Sequence, residues 1–194
     1  MATMDEIRQA VEVILHEGFS HEKLYLLHCT TSYPTALKDV NLRAMARLNE
    51  LNPAGTGYSD HTRGIIVPAA AVAMGAVIIE KHITLDNNLP GPDHRASLNP
   101  EEFKRMVTAI REVEIAKGEP VKEPTASERE NIPVARKSIV AARAIRMGES
   151  FTASNLTAKR PGNGISPMQW YNIIGREAKK NYDADQQISI DELI

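Results

Sequence analysis

The chain reads as an α/β protein built on a parallel sheet and followed by a smaller β-rich domain. Three observations predict this. Short apolar runs alternate with amphipathic helical stretches through the first 118 residues. Prolines then crowd among charged and small residues over 119–133. Beyond them, short β-type pieces are separated by closely spaced turn residues. The expected organisation is residues 1–118 as the parallel α/β domain, 119–133 as a linker and 134–194 as the small domain.

The elements follow in order. Thr3 and Glu6 stand at capping-box spacing, and Ile7, Ala10, Val11, Ile14 and Leu15 recur on one helical face until Gly18 stops it. Tyr25-Leu26-Leu27-His28-Cys29 is a short apolar run suited to a first strand, ending in the polar loop 30–35. Leu42, Met45 and Leu48 mark a helix, and a second strand ends at Tyr58-Ser59. After a helix over 65–74, Val77-Ile78-Ile79 reads as a third strand, its unbroken apolar character suiting a sheet covered on both faces. Asn99 caps the next helix, with Pro100 at its first position and Glu102 completing a capping box. Phe103, Met106, Val107, Ile110 and Val113 form its expected buried stripe up to Gly118. In the tail, 138–142 is β-type and 167–174 is a short helix.

Composition excludes several classes of function. With 194 residues and 42% hydrophobic content the chain can bury a sizeable core. A net charge of −2 argues against nucleic acid or a membrane surface as partner, because neither polyanion is attracted by the field of the whole molecule. Cys29 is the single cysteine, so no intrachain disulfide forms. The first five residues carry neither a basic n-region nor an apolar h-region. The apolar stretch 65–79 is broken by Pro68 and Gly75 and falls short of the roughly 20 residues a membrane span needs. A cytoplasmic location is the expectation.

The chemistry concentrates where two strands end. Gly57-Tyr58-Ser59-Asp60-His61-Thr62 is followed, one unit later, by Ile79-Glu80-Lys81-His82-Ile83-Thr84 and then by Pro90-Gly91-Pro92-Asp93-His94. Carboxyl ends of neighbouring parallel strands lie side by side at one mouth of a barrel, so two such histidines are placed to share a metal or phosphate site. The plain alternative for each is a hydrogen-bonded core histidine. Asp93 sits in a loop stiffened by prolines, which suits a fixed carboxylate and equally a turn aspartate. Asp60 is next to His61 as a possible orienting acceptor, although strand alternation points it elsewhere. Glu80 and Lys81 read as an ion pair at the mouth, and Lys159-Arg160-Pro161-Gly162-Asn163-Gly164 as a basic turn.

Five blocks in order carry a family resemblance: Leu26-Leu27-His28-Cys29-Thr30-Thr31-Ser32-Tyr33-Pro34-Thr35, the Gly-Tyr-Ser-Asp-His-Thr at 57–62, the Glu-Lys-His-Ile-Thr at 80–84, the Pro-Gly-Pro-Asp-His at 90–94 and the basic turn at 159–164. With these the chain resembles the N-acetylneuraminate (sialic acid) synthase family. The resemblance implies a phosphoenolpyruvate-using (β/α)8 TIM barrel followed by a small antifreeze-like (SAF) domain. The three strands here would then be about strands six to eight, with residues 1–4 at the end of strand five. A full barrel needs about 250 residues, so the chain reads as the C-terminal part of such an enzyme, truncated and inactive alone. The family's metal and phosphate residues from strands one to five have no counterpart in this sequence. A half-barrel subunit that pairs with a separately encoded N-terminal half, or a non-catalytic sugar-binding antifreeze-like module, are the alternatives.

Residue roles follow from the same resemblance. The family condenses phosphoenolpyruvate with open-chain N-acetylmannosamine to give N-acetylneuraminate and phosphate. His61 and His82 are implied as ligands of a divalent metal, Mn or Mg, although two imidazoles alone hold Zn as readily as Mn. Asp93 is implied beside them as a catalytic and substrate-binding carboxylate, on sugar hydroxyls or on water at the metal. Ser59 matches a phosphate contact. Tyr33 and Thr31 match pocket-lining positions, Thr31 standing where some relatives have Asn. Arg160 matches an arginine that grips the sugar's N-acetyl group from the small domain of the other subunit, in a domain-swapped homodimer. Legionaminic-type synthases share the motifs, so N-acetylmannosamine is the leading expectation for the acceptor rather than a reading of the motifs.

Overall fold

The structure is a computed structural model of the chain and describes residues 1–189. The chain forms two compact units, Met1–Pro120 and Val121–Ile194.

In the first unit, helix α1 (Met4–His16) starts at Thr3, whose hydroxyl accepts the Glu6 N–H while the Glu6 carboxylate accepts the Thr3 N–H at 2.6 Å. Those bonds stabilise the ionised carboxyl and hold it below its ordinary range. Strands β1 (Tyr25–Cys29), β2 (Gly55–Asp60) and β3 (Ile78–Lys81) form a parallel sheet in the order β1-β2-β3. Cys29 lies opposite Ser59, Ser59 opposite Glu80, and Asp60 opposite Lys81. Between the strands run α2 (Ala44–Asn49) and α3 (Ile66–Ala73). Val40, Met45, Tyr58, Val67, Ala71 and Ala76 form a buried cluster on the helical side of the sheet, with Ile79 packed against it. Helix α4 (Pro100–Lys117) carries the expected Asn99–Glu102 capping box and lies on α3. Gly57 is required by close approach, since a Cβ there would stand 2.6 Å from the Ile78 carbonyl oxygen.

Burial departs from the sequence expectation in one consistent way. On the apolar face of α1 Val11 is buried and Ile7 and Leu15 are half-buried, and of the expected α4 stripe Met106 is buried, Phe103, Ile110 and Val113 are half-buried and Val107 is 38% exposed. The third strand is not covered on both faces either: Val77 is 63% exposed and β3 alternates between exposed and half-buried. β1 and β3 each pair with β2 alone. The apolar pattern was read correctly, but the surfaces that would cover it are not supplied by residues 1–120.

In the second unit, α5 (Ala126–Arg129) is capped by Thr125 and Glu128 and lies within the stretch 119–133 expected as a linker, and α6 (Ile132–Ala135) crosses the end of that stretch. β4 (Ser138–Ala141) and β5 (Leu156–Lys159) pair antiparallel, and a 3-10 turn at Pro167–Gln169 leads into α7 (Trp170–Ile173). Their core is Ile139, Ala141, Ile145, Phe151, Leu156, Ile165, Ile173, Ala178, Tyr182 and Ile188. Phe151 meets Tyr182 edge to face at 5.9 Å. Among the described residues no helix is long and apolar enough to cross a membrane.

Candidate functional site

The candidate site lies at the carboxyl ends of β1, β2 and β3. His61 follows β2 directly, His82 follows β3 directly, and Tyr33 stands on the loop that leaves β1. Parallel pairing therefore brings together three rings far apart in sequence. The His61 and His82 ring centroids are 5.2 Å apart and edge-on, and Tyr33 lies 4.4 Å from His82 and 5.1 Å from His61. Both histidine backbones are tied to the neighbouring loops. The Thr35 N–H donates to the His61 carbonyl at 2.8 Å, and the Leu98 N–H donates to the His82 carbonyl at 3.0 Å.

The His61 ring has a defined orientation. Its Nδ1 is 2.8 Å from the Thr30 carbonyl oxygen, and a carbonyl can only accept, so Nδ1 carries the proton and Nε2 the lone pair. This partner was not visible in the sequence, because any residue type supplies a main-chain carbonyl. Asp60, considered as the orienting acceptor, does not serve: its carboxylate takes the Thr62 N–H at 2.9 Å and the Thr62 hydroxyl at 3.1 Å instead.

Tyr33 is set by Ser97, which sequence reading missed because 64 positions separate the two. Ser97 gives its one hydroxyl proton to the Asp93 carbonyl at 2.8 Å, so the Tyr33 hydroxyl, 3.1 Å away, is the donor to Ser97. Burial raises the phenol above its ordinary range, and the negative charges of Asp93 and Asp60 add to this, so the donor stays protonated. Asp93 has its carboxylate 3.9 Å from His82 Nδ1 and half exposed. Thr31 is exposed on the loop beside Tyr33.

Ser59 is buried and donates to Glu80 at 2.5 Å. The expected Glu80–Lys81 pair is not formed, since adjacent strand residues face opposite sides of a sheet. Lys81 pairs instead with Asp60 at 2.7 Å, with their side chains 1% and 0% exposed. In the second unit, Arg160 is exposed at the end of β5, its Nε donating to the Ala135 carbonyl at 3.0 Å. Gly162 packs so closely on Arg136 that a Cβ would stand 2.5 Å from its Cβ, so a side chain there has no room.

Among the described residues no group of three or more His, Cys, Asp and Glu side chains forms a metal cluster. The donor set nonetheless fits part of a coordination shell. The two imidazoles stand 5.2 Å apart, and the Thr30 bond leaves His61 Nε2 as a lone-pair donor, with the Cys29 sulfur 4.0 Å from it. Any further ligands of such a shell would come from outside this pair.

The sequence matches the NeuB family over residues 1–122 and the SAF domain over residues 136–194. It is 48% identical over 188 residues to the N,N'-diacetyllegionaminic acid synthase of Campylobacter jejuni, covering 97% of this chain and 56% of that protein. To the N-acetylneuraminate-9-phosphate synthase of Homo sapiens it is 36% identical, covering 100% of this chain and 54% of that one. The chain thus spans about half the length of the curated relatives it matches. Among solved structures it resembles the N-acetylneuraminic acid synthetase of Leptospira borgpetersenii in complex with citrate, at 40% identity and a TM-score of 0.61 over 68% of this chain and 45% of that chain. It also resembles a spore coat polysaccharide biosynthesis protein of Bacillus subtilis, at 33% identity and a TM-score of 0.56 over 100% and 59%. The family to which five sequence blocks pointed is the one that matches: this chain belongs to the NeuB family, whose relatives include sialic, legionaminic and pseudaminic acid synthases, and it carries a SAF domain.

Proposed function

We propose that the chain carries the C-terminal part of a nonulosonate synthase, with β1, β2 and β3 as strands six to eight of a (β/α)8 barrel. The observation that carries this reading is the meeting of Tyr33, His61 and His82 at the carboxyl ends of three consecutive parallel strands. The open edges of β1 and β3 and the exposed residues of β3 support it, because an arc of a barrel leaves those surfaces to other strands.

In the reaction we propose, the C3 carbon of phosphoenolpyruvate bonds to the aldehyde carbon of an open-chain acetamido sugar. Water supplies the oxygen added at C2, and phosphate leaves. His61 through Nε2, together with His82, would hold a divalent Mn or Mg, which when bound supplies Lewis-acid polarisation of the aldehyde oxygen. The chain's own residues do the rest. Tyr33 packs its ring on both imidazoles, excluding water from that side, and Thr31 lines the same loop. Asp93 presents a carboxylate beside His82 for a sugar hydroxyl or a transferred proton. Ser59 is the phosphate contact in this reading, and a phosphate there competes with Glu80 for the hydroxyl. Arg160 grips the acetamido carbonyl of a sugar held by a second subunit, its planar donors suiting that acceptor.

N-acetylmannosamine and a legionaminic-type diacetamido sugar are both acceptors of the right chemistry. The 48% identity to a diacetyllegionaminic acid synthase, against 36% to the human N-acetylneuraminate-9-phosphate synthase, favours the second. The test joins residues 1–194 behind the strand-one-to-five segment of the Campylobacter relative and measures phosphate release from phosphoenolpyruvate with each sugar. Metal-dependent release with at least one acceptor is expected. Release with neither, from a folded protein, contradicts the proposal.

A further inference from the structure

The last rung of the β2–β3 ladder pairs Asp60 with Lys81, the residues immediately preceding His61 and His82. Their side chains are withdrawn from water and joined at 2.7 Å. Asp60 also accepts the N–H and hydroxyl of Thr62, and Lys81 Nζ donates to the Thr62 carbonyl, so the network closes around His61 from both sides in sequence. Asp60, Thr62 and Lys81 are all buried, whereas His61 and His82 lie on the accessible side, with the His82 side chain 38% exposed. A buried ion pair is a poor source of stability, since desolvation offsets most of its Coulomb attraction and an apolar pair of equal volume serves as well. What such a pair does supply is geometry, because every one of its hydrogen bonds has a required direction.

Resting on the reading of His61 and His82 as a metal pair, we propose that Asp60, Lys81 and Thr62 form a positioning network that sets the spacing and mutual angle of the two imidazoles. It locks the ends of two strands to each other at the point where each chain turns to present its ring. Its residues touch neither substrate nor metal. Their effect passes through the backbone of residues 61 and 82.

The test uses the 194-residue chain, isotopically labelled, with two readouts: the nuclear Overhauser contact between the His61 and His82 rings, and the Kd for Mn(II) alone. The double variant Asp60→Asn, Lys81→Met removes the pair without leaving a lone buried charge and without changing net charge, so Mn(II) attraction is not altered through the overall field. We expect the ring contact to be lost and Mn(II) affinity to fall about ten- to a hundredfold, while amide protection across β2 and β3 and the packing of Tyr58 persist. Thr62→Val, which deletes one hydrogen bond and keeps the shape, is expected to shift both readouts in the same direction by less. Should the double variant fail to fold, Thr62→Val alone decides. Retention of the ring contact and of Mn(II) affinity in the folded variants, with only a lower unfolding midpoint, overturns the proposal. If the parent chain itself shows no Mn(II) binding at these rings, the metal reading fails, and the ring contact still decides whether the network positions them.

Discussion

The Nδ1 of His61 lies 2.8 Å from the carbonyl oxygen of Thr30, the first residue after β1, so the end of β1 decides which nitrogen of the ring that follows β2 carries the proton. In its neutral state His61 should therefore be the Nδ1–H tautomer, with an unprotonated Nε2. Nitrogen-15 shifts of the imidazole report this directly. A neutral Nε2–H tautomer would remove the basis for coordination through that atom.

Tyr58 makes a second prediction. It is fully buried on the helical side of the sheet, and its hydroxyl has no hydrogen bond of ordinary geometry. Burial, reinforced by the Asp60 charge, raises its pKa well above the ordinary 10.0. Below pH 10 the phenol is neutral in both folded and unfolded chains, and its contribution is complete. As pH rises further the unfolded chain ionises first, so stability is lost progressively towards the folded pKa. Tyr58→Phe should be neutral or stabilising by about 1 kcal/mol at pH 7 and should flatten the alkaline decline seen in urea titrations. A variant destabilised at pH 7, with the alkaline slope unchanged, would show that the hydroxyl is satisfied.

The two units should differ in resistance. Among the described residues the second has a buried ten-residue core that includes Phe151 and Tyr182, whereas the first leaves Val77, Val107 and much of α1 exposed. Limited proteolysis should cut first before residue 121 and accumulate a fragment of the second unit. Phe151→Ala should cost that fragment about 3 to 5 kcal/mol and abolish its accumulation. Equal survival of both units would contradict the argument.

What was legible in the sequence was what depends on neighbours in the chain. The Thr3–Glu6 and Asn99–Glu102 boxes are local hydrogen bonds and appeared where their spacing placed them. β1 matched its apolar run, and β2 ran one residue past the expected Tyr58-Ser59 end. The same box at Thr125–Glu128 was overlooked because a four-residue helix shows no periodicity. Pairings across the fold were not legible. Lys81 has a carboxylate beside it in sequence, at Glu80, and takes the one across the ladder at Asp60. Ser97 reaches Tyr33 only because both loops fold over the same strand ends. The α4 stripe, expected buried, has Met106 buried, Phe103, Ile110 and Val113 half-buried and Val107 exposed, because periodicity records which face is apolar and not what covers it.

Arg160 provides a prediction outside the His61–His82 pair. In the completed enzyme of the joining experiment, Arg160→Ala should weaken sugar binding about tenfold to a hundredfold, the worth of a charged hydrogen bond of roughly 1.5 to 3 kcal/mol. Mn(II) and phosphoenolpyruvate binding should be preserved, since the side chain belongs to the second unit. Calorimetric titration with the acceptor sugar checks this, and an unchanged sugar Kd removes Arg160 from the site.

The most direct measurement is phosphate release from phosphoenolpyruvate in the presence of an acetamido sugar and Mn(II). It compares the 194-residue chain, the completed enzyme, and the completed enzyme with His61→Ala or His82→Ala. The account predicts no release from the chain alone, metal-dependent release from the completed enzyme, and loss of turnover in either folded histidine variant. Release by the chain alone, or normal metal-dependent turnover in a His61→Ala or His82→Ala enzyme, would contradict it.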